Sequence, residues 1–266
     1  ALDATGRGKL FSLCDPAAGC SETSSGSAST QSIFTDGSNG QVVNCGNTIQ
    51  FNRTDPFSIS FWINWDGQDF YGGLAGFLGT EDPALGYRGY AFEVLDPNGV
   101  RNLRFQLINN WPSNMIEVPM AGQFPINRWV HVTATYDGSS SSAGAHLYVD
   151  GVDVSDYSAD TDTLTGSTLT SQPTMFGDIN NGEYMNGWMD EIAYYDRPLT
   201  AGEVASIHNG GVPIDLSAHS TASSLTHWYR MGEGDVAPTI QDAVGTVDCT
   251  LTGAATGPAN IQTVVP

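Results

Sequence analysis

Phe57-Ser58-Ile59-Ser60-Phe61-Trp62-Ile63-Asn64-Trp65 decides the fold. Phe57, Ile59, Phe61, Ile63 and Trp65 take every second position. Successive side chains of a strand point to opposite faces, so this stretch reads as a strand with one face on a core. Val130, Val132, Ala134 and Tyr136 alternate in the same way. Leu147-Tyr148-Val149-Asp150-Gly151-Val152-Asp153-Val154 predicts a tight hairpin, because Asp-Gly suits the left-handed backbone of a type I′ turn. Asp96-Pro97-Asn98-Gly99 predicts another turn, between Phe92-Glu93-Val94 and Leu103-Arg104-Phe105. Residues 155–174 are polar, rich in Thr and Asp, and read as a long surface loop. One segment breaks the pattern. Thr200 with Glu203 forms a capping box, and Val204, Ala205, Ile207 and His208 follow at helical spacing. Gly210-Gly211 and Pro213 then stop the run, which predicts a single short helix near 200–209.

The chain has 266 residues with 31 Gly and 13 Pro, which suits many short strands joined by turns. Ser21 to Thr30 is small and polar and buries little, so residues 1–30 read as an arm and 31–266 as one domain. No apolar run approaches the roughly 20 residues of a membrane-spanning helix, so membrane insertion is not expected. Ala1 to Leu13 lacks the basic start and apolar stretch of a secretion signal. Net charge is −20, with Lys9 the only lysine. Such a surface repels phosphate backbones and argues against nucleic acid as a partner. Solubility through self-repulsion explains the acidity, and so does a saline or calcium-containing milieu. The four cysteines contain no C-x-x-C pair, which argues against zinc. They allow three pairings. Cys14–Cys20 as a local loop and Cys45–Cys249 as a long-range staple are expected in an oxidising compartment, the alternative being buried free thiols.

Three stretches, in this order and spacing, resemble laminin-G-like jelly-roll domains of the concanavalin A-like superfamily. Phe34-Thr35-Asp36-Gly37-Ser38-Asn39-Gly40-Gln41-Val42-Val43 is similar to that family's opening, although Gly40-Gln41 stands where an acidic-aromatic pair is common. Phe57 to Ile63 is followed by Arg128-Trp129-Val130-His131-Val132-Thr133-Ala134-Thr135-Tyr136-Asp137 and by Leu147 to Gly151. Tyr184-Met185-Asn186-Gly187-Trp188-Met189-Asp190-Glu191-Ile192-Ala193-Tyr194-Tyr195-Asp196-Arg197-Pro198-Leu199-Thr200 resembles the family's strand-to-helix signature. The resemblance covers about 32–210 and implies an all-β, antiparallel jelly-roll sandwich. Residues 224–266, with Leu225-Thr226-His227-Trp228-Tyr229-Arg230-Met231, resemble a segment that usually opens such domains. Here they close the chain, which reads as a circular permutation; a second, truncated repeat is the alternative. Cys45–Cys249 would then join an early strand to its C-terminal neighbour. The tail and the Asn44-Cys45-Gly46-Asn47 opening are similar in style to structural proteins of marine tailed bacteriophages.

No G-x-S-x-G elbow, H-E-x-x-H or P-loop is present. A retaining glycosidase needs two carboxyls roughly 5 Å apart, and Asp190-Glu191, as neighbours on a strand, point to opposite faces. The chain therefore reads as non-enzymatic, with a glycoside hydrolase as the outside alternative. Asp190 shares parity with Ile192 and Tyr194, which should face the core, and an inward carboxylate needs a partner. Backbone amides would serve. The resemblance instead implies a structural Ca2+ held by Asp190, Asp36 and Ser38, with Asn39 in the same turn. Asp178-x-Asn180-x-Gly182 is a further oxygen-rich loop. Loop aromatics stack on sugar faces while amides bind hydroxyls, which singles out Asn109, Asn110 and Trp111, and Phe70 and Tyr71. Capping of the sandwich by Trp111 and Tyr71 is the plainer account, and Trp188 and Trp228 read as core. The expectation is a lectin-like binding module, extracellular or on a virion surface, recognising a glycan or host-surface component. The alternative is a structural virion protein, a capsid decoration or fibre domain, partnered by other virion or surface proteins.

Overall fold

The computed structural model describes residues 29–69, 72–96, 100–253 and 258–266. Cys14, Cys20, most of the expected arm, Phe70, Tyr71 and Pro97-Asn98-Gly99 lie outside the described residues. Two antiparallel sheets pack face to face. The first runs, in spatial order, β10 (Val152–Asp153), β9 (Ala145–Val149), β8 (Val130–Tyr136), β3 (Phe57–Asp69), β13 (Met185–Tyr195), β1 (Ser32–Thr35) and β17 (Ile261–Gln262). A further strand, β14 (Leu225–Tyr229), pairs with β13 beyond the end of β1. The second sheet runs β11 (Thr161–Asp162), β7 (Asn114–Pro119), β6 (Asn102–Asn110), β5 (Gly89–Leu95), β4 (Leu74–Gly79), β12 (Met175–Phe176), β2 (Val42–Asn44), β16 (Cys249–Thr252) and β15 (Thr239–Ile240).

The alternation in β3 builds the core. Phe57, Ile59, Phe61, Ile63 and Trp65 are all buried. Phe61 meets Phe92 of β5 edge-on at 5.1 Å, and Phe57 meets Phe105 of β6 at 6.2 Å. Edge-to-face packing places the positive rim of one ring on the negative face of the other. The opposite face of β3 is not solvated. Ser58, Ser60 and Trp62 are buried as well, beneath the one α-helix among the described residues, α1 (Ala201–His208), and the chain that follows it. Ser58 accepts from Leu199 N (2.8 Å) and donates to Arg197 O (2.9 Å), so its hydroxyl is satisfied in the dry. Val204, Ile207, Leu216, Tyr195 and Trp228 form this second, smaller core.

The expected punctuation is present. Asp150 and Gly151 both take positive φ, 50° and 78°, as a type I′ turn requires. Thr200 and Glu203 close a reciprocal capping box, and Glu203 also takes a forked pair from Arg197. The helix ends one residue earlier than Gly210 implied: Asn209 itself adopts the left-handed cap. Residues 155–174 differ more. Thr161–Asp162 adds an edge strand to β7, and Leu164, Thr168 and Thr174 are buried. Trp188 is not core either; it lies half-buried on the outer face, 5.0 Å from Phe34, donating to Gln262 Oε1.

The tail is built into both sheets: β14 and β17 extend the first, and β15 and β16 the second. A disulfide joins Cys45, just after β2, to Cys249 at the start of β16, across a separation of 204 residues. Cross-linking so long a loop restricts the unfolded chain by about 4–5 kcal/mol in the chain-entropy model. Replacing both Cys45 and Cys249 with Ser should lower the stability measured by urea titration by an amount of that order. Thr200→Ala, which removes the helix cap, should cost about 1 kcal/mol.

Candidate functional site

The outer face of the second sheet is where polar residues gather. Glu93 on β5 lies directly opposite Arg104 on β6, and Gln106 on β6 directly opposite Glu117 on β7. Their neighbours Phe92, Val94, Phe105, Leu107 and Val118 point inward, so these four share the outer face by strand alternation. Arg104 forks between two carboxylates, one terminal nitrogen on Glu93 and the other on Glu117 at 3.1 Å. Gln106 Nε2 also donates to Glu117 (2.6 Å).

A loop ahead of β13 lies down over β4. A Cβ at Gly76 would stand 2.8 Å from Ile179, and one at Gly79 would stand 2.6 Å from Tyr90 O. Glycine at both positions is what lets Ile179 settle there. The loop is tied down by Gly76 N to Glu183 O (2.6 Å) and Glu81 N to Ile179 O (2.9 Å). It carries Asn181 and Glu183 to the edge of the polar patch, where Asn181 donates to Glu81 (3.0 Å). Two aromatic residues stand above. Tyr87, at φ 63°, follows the turn Pro83–Leu85, and Trp111 sits in the β6–β7 turn, its backbone N–H donating to Gly86 O (2.8 Å). Their rings are 6.2 Å apart and nearly perpendicular, and they remain 40% and 51% exposed. Large aromatic side chains left in water beside a polar floor are the informative kind of exposure. Together these residues line a cleft of about 180 Å3.

Burial governs the titration of the floor. It pushes the Glu81 carboxyl well above the ordinary range, and the charges of Glu93 and Glu183 push it further. Burial raises Glu183 to about 8, helped by Glu93, with which it shares a hydrogen bond. Two carboxyls can share such a bond only with a proton between them.

Of the residues expected to bind ligand, Trp111 lines this cleft. Asn109 and Asn110 do not: Asn109 holds Ser167 O at 2.7 Å, and Asn110 bonds Ser113 within its own turn. Phe70 and Tyr71 lie outside the described residues. Tyr87, Glu81, Glu93, Arg104, Gln106, Asn181 and Glu183 escaped the sequence reading. Their signal was the polar half of the alternation in Phe92-Glu93-Val94 and Leu103-Arg104-Phe105-Gln106-Leu107, visible only as outward-facing until the strands are paired.

The expected calcium ligands are not brought together. Thr35 pairs with Gly187 and Ile33 with Met189, so Asp36 and Asp190 fall at opposite ends of the β1–β13 pairing. Four strand residues, roughly 13 Å, separate their positions, whereas ligands of one calcium lie within about 5 Å of each other. Asp36 instead caps its own turn, accepting from Ser38 N (3.0 Å) and Ser38 Oγ (2.5 Å). Asp190 is also out of phase with Ile192. A β-bulge falls between Asp190 and Ala193, with Glu191 at φ 49°, and shifts the alternation by one. Asp190 therefore pairs opposite Trp62 on the outer face and accepts from Ser29 Oγ (2.6 Å) and Glu191 N (2.8 Å). Glu191 accepts from Trp228 Nε1 (2.6 Å). Asp178 spends its carboxylate on the backbone N–H groups of Ile179 and Gly182.

The sequence model described as the concanavalin A-like lectin/glucanases superfamily matches residues 36–205. No curated protein matches the chain. Among solved structures, a protein from Bacteroides ovatus assigned to carbohydrate binding superposes with a TM-score of 0.56 at 18% identity. The match covers 85% of this chain and 59% of that one, so this chain spans well under two thirds of its relative. A heptameric pentraxin from Limulus polyphemus gives 0.48 at 12% identity, over 67% and 81% of the two chains. The sialyllactose-bound carbohydrate-binding module of a Ruminococcus gnavus sialidase gives 0.45 at 12%, over 58% and 83%. Among the described residues, no helix is long and apolar enough to cross a membrane.

Stability should follow the buried acids. Glu183 keeps its proton to about 8 when folded, against 4.5 as its ordinary value. The folded chain therefore holds the extra proton between those values, and stability falls as pH rises through that window. His131, buried beside His208 and held down to about 3 against an ordinary 6.5, acts oppositely: its contribution is lost as pH falls from 6.5 towards 3. Melting temperatures at pH 5, 7 and 9 should fall with rising pH in the wild type, and Glu183→Gln should flatten the fall.

Proposed function

We propose that this chain, which belongs to the concanavalin A-like lectin/glucanases superfamily, is a glycan-binding module whose site is the cleft under Tyr87 and Trp111. The observation that carries the reading is the pair of exposed, mutually perpendicular aromatic rings above a floor of Glu, Gln, Asn and Arg side chains. Sugar rings have an apolar face of C–H groups, suited to an aromatic ring, and a periphery of hydroxyls, suited to carboxylates and amides. A volume of about 180 Å3 is below the 300–1,000 Å3 usual for drug-sized ligands, which favours one sugar ring at the floor with the rest of the glycan on the surface.

Binding is favoured over hydrolysis. Glycosidases set their two carboxyls about 5 Å or more apart, on either side of the scissile bond. Glu93 and Glu183 share a hydrogen bond, a closer pairing than the two carboxyls that flank a scissile bond. The Cys45–Cys249 disulfide supports an extracellular setting, where such bonds form and persist. Attachment to a virion, with neighbouring virion proteins as partners, draws only on the sequence resemblance to phage proteins.

A glycan array followed by titration calorimetry tests the reading. Trp111→Ala and Tyr87→Ala should each weaken binding of any array-positive glycan by about five- to thirtyfold, since stacking on one ring is worth about 1–2 kcal/mol. Circular dichroism should be unchanged, because both side chains are half in water. An array without a single positive glycan, or binding indifferent to both substitutions, overturns the assignment.

A further inference from the structure

Taking the cleft as the glycan site, we propose that the sugar it selects carries a free, protonated amine, as in a 2-amino-2-deoxyhexose unit, and that uronic, sialic and sulfated sugars are refused. Four carboxyl groups surround the floor, each from a different element: Glu81 after β4, Glu93 on β5, Glu117 on β7 and Glu183 ahead of β13. Asp178 adds a fifth carboxyl group near Glu183. Among the described residues, the one cation lining the cleft is Arg104, and both of its terminal nitrogens are already spent on Glu93 and Glu117. A sugar carboxylate or sulfate would enter a field of like charge and find Arg104 already forked between two carboxylates, with only its buried Nε–H uncommitted. Such juxtaposition costs affinity rather than adding to it.

The floor also has acceptors to spare. Gln106 is 1% exposed; its amide nitrogen is used by Glu117 and its Oε1 has no partner. Glu183 is 6% exposed, and its Oε2 has no hydrogen-bond partner. Arg104 Nε is the opposite case, a buried donor without an acceptor. An ammonium group brings three donors, no acceptor and a positive charge. It answers both surplus acceptors and replaces the trapped proton as the counter-charge between Glu183 and Glu93. The proton balance is definite. Below about pH 8 Glu183 is an acid. On binding it gives its proton to solvent and becomes a carboxylate paired with the ammonium. An N-acetylated sugar has no charge to exchange and releases no proton. The exposed Trp111 and Tyr87 faces add cation–π attraction for the same ligand.

The test is calorimetry on the full chain at pH 5.5, where the sugar amine already carries its proton and Glu183 still holds its own, and at about 150 mM salt, which screens diffuse attraction to the acidic surface. The probes are the glucosamine tetramer, the N-acetylglucosamine tetramer and tetragalacturonate, each run in two buffers of different ionisation enthalpy. The expected result is binding of the amine tetramer at least about tenfold tighter than its acetylated form. No binding of the uronate and release of close to one proton per site are also expected. Glu183→Gln should bring the amine and acetyl forms within about threefold and abolish proton release, while Trp111→Ala should weaken both. Equal affinity for the two neutral-backbone tetramers with loss of both in Trp111→Ala keeps the glycan site and overturns the amine preference. Uronate binding overturns it too, as does amine binding indifferent to Trp111→Ala and Glu183→Gln. Absence of binding by all three, with a blank array, overturns the glycan site itself.

Discussion

Strands β3 and β13 lie side by side in the middle of the first sheet, and the pair must be dry on both faces. One face of β3 carries the large rings of the sandwich core. The other carries Ser58, Ser60 and Trp62, too mixed to be a core by itself, so it needs a cover. The chain supplies the cover from the segment that follows β13: α1, Leu216 and the strand β14 close over it. The tail strands then have fixed places, beside β13, β1 and β2. The disulfide pins β16 to β2, across a sequence separation of 204 residues, in the place this packing assigns it.

The same central strand has a constraint on its other side. β13 exchanges its partner midway, pairing with β1 up to Met189 and with β14 from Ile192. Met189 and Ile192 both face the sandwich core, three residues apart, which an uninterrupted strand cannot arrange. The bulge at Asp190-Glu191 supplies the missing residue. The cost is two carboxyl groups held in the dry, one met by Ser29 and the other by the Trp228 indole. Burial raises both above their ordinary range. Their chemistry answers to the architecture, and the ligand cleft lies on the other sheet.

The elements were legible where the local pattern was strong. Strict alternation over Phe57 to Trp65, Asp-Gly at 150–151 and the Thr200–Glu203 box are each determined within a few residues, and each stands where the pattern put it. The bulge was not legible, because nothing in Trp188-Met189-Asp190-Glu191-Ile192-Ala193 demands the positive φ that Glu191 adopts and that breaks the phase. The reading of Asp190 as inward, and the calcium site built on it, fell with that phase. Trp111 was legible as a bulky aromatic beside a turn. Its companions were not, because Glu93, Arg104, Gln106 and Glu117 are single polar positions on three strands. Only strand register makes them one surface, and only two glycines in β4 allow the Ile179 loop to bring Glu183 to it.

The placing of charge in the cleft then says something about what kind of surface it is. Acidic side chains that stand in water, such as Asp55, Asp137 and Asp248, repel one another only slightly, because the solvent screens them. Glu81 and Glu183 do not stand in water; desolvation makes each costly to ionise, and a neutral residue of similar size at either place would stabilise the fold. A sandwich of this size does not need them, since its core is complete without any member of the floor. Side chains that weaken the fold, gather on one face and line a cleft under exposed aromatics are better explained by what they meet than by what they hold together. Protons retained on those carboxyls keep the empty site compatible with folding. A ligand that can take the protons' place recovers the electrostatic cost as affinity, so the same buried acids that depress stability at high pH set the selectivity of the site.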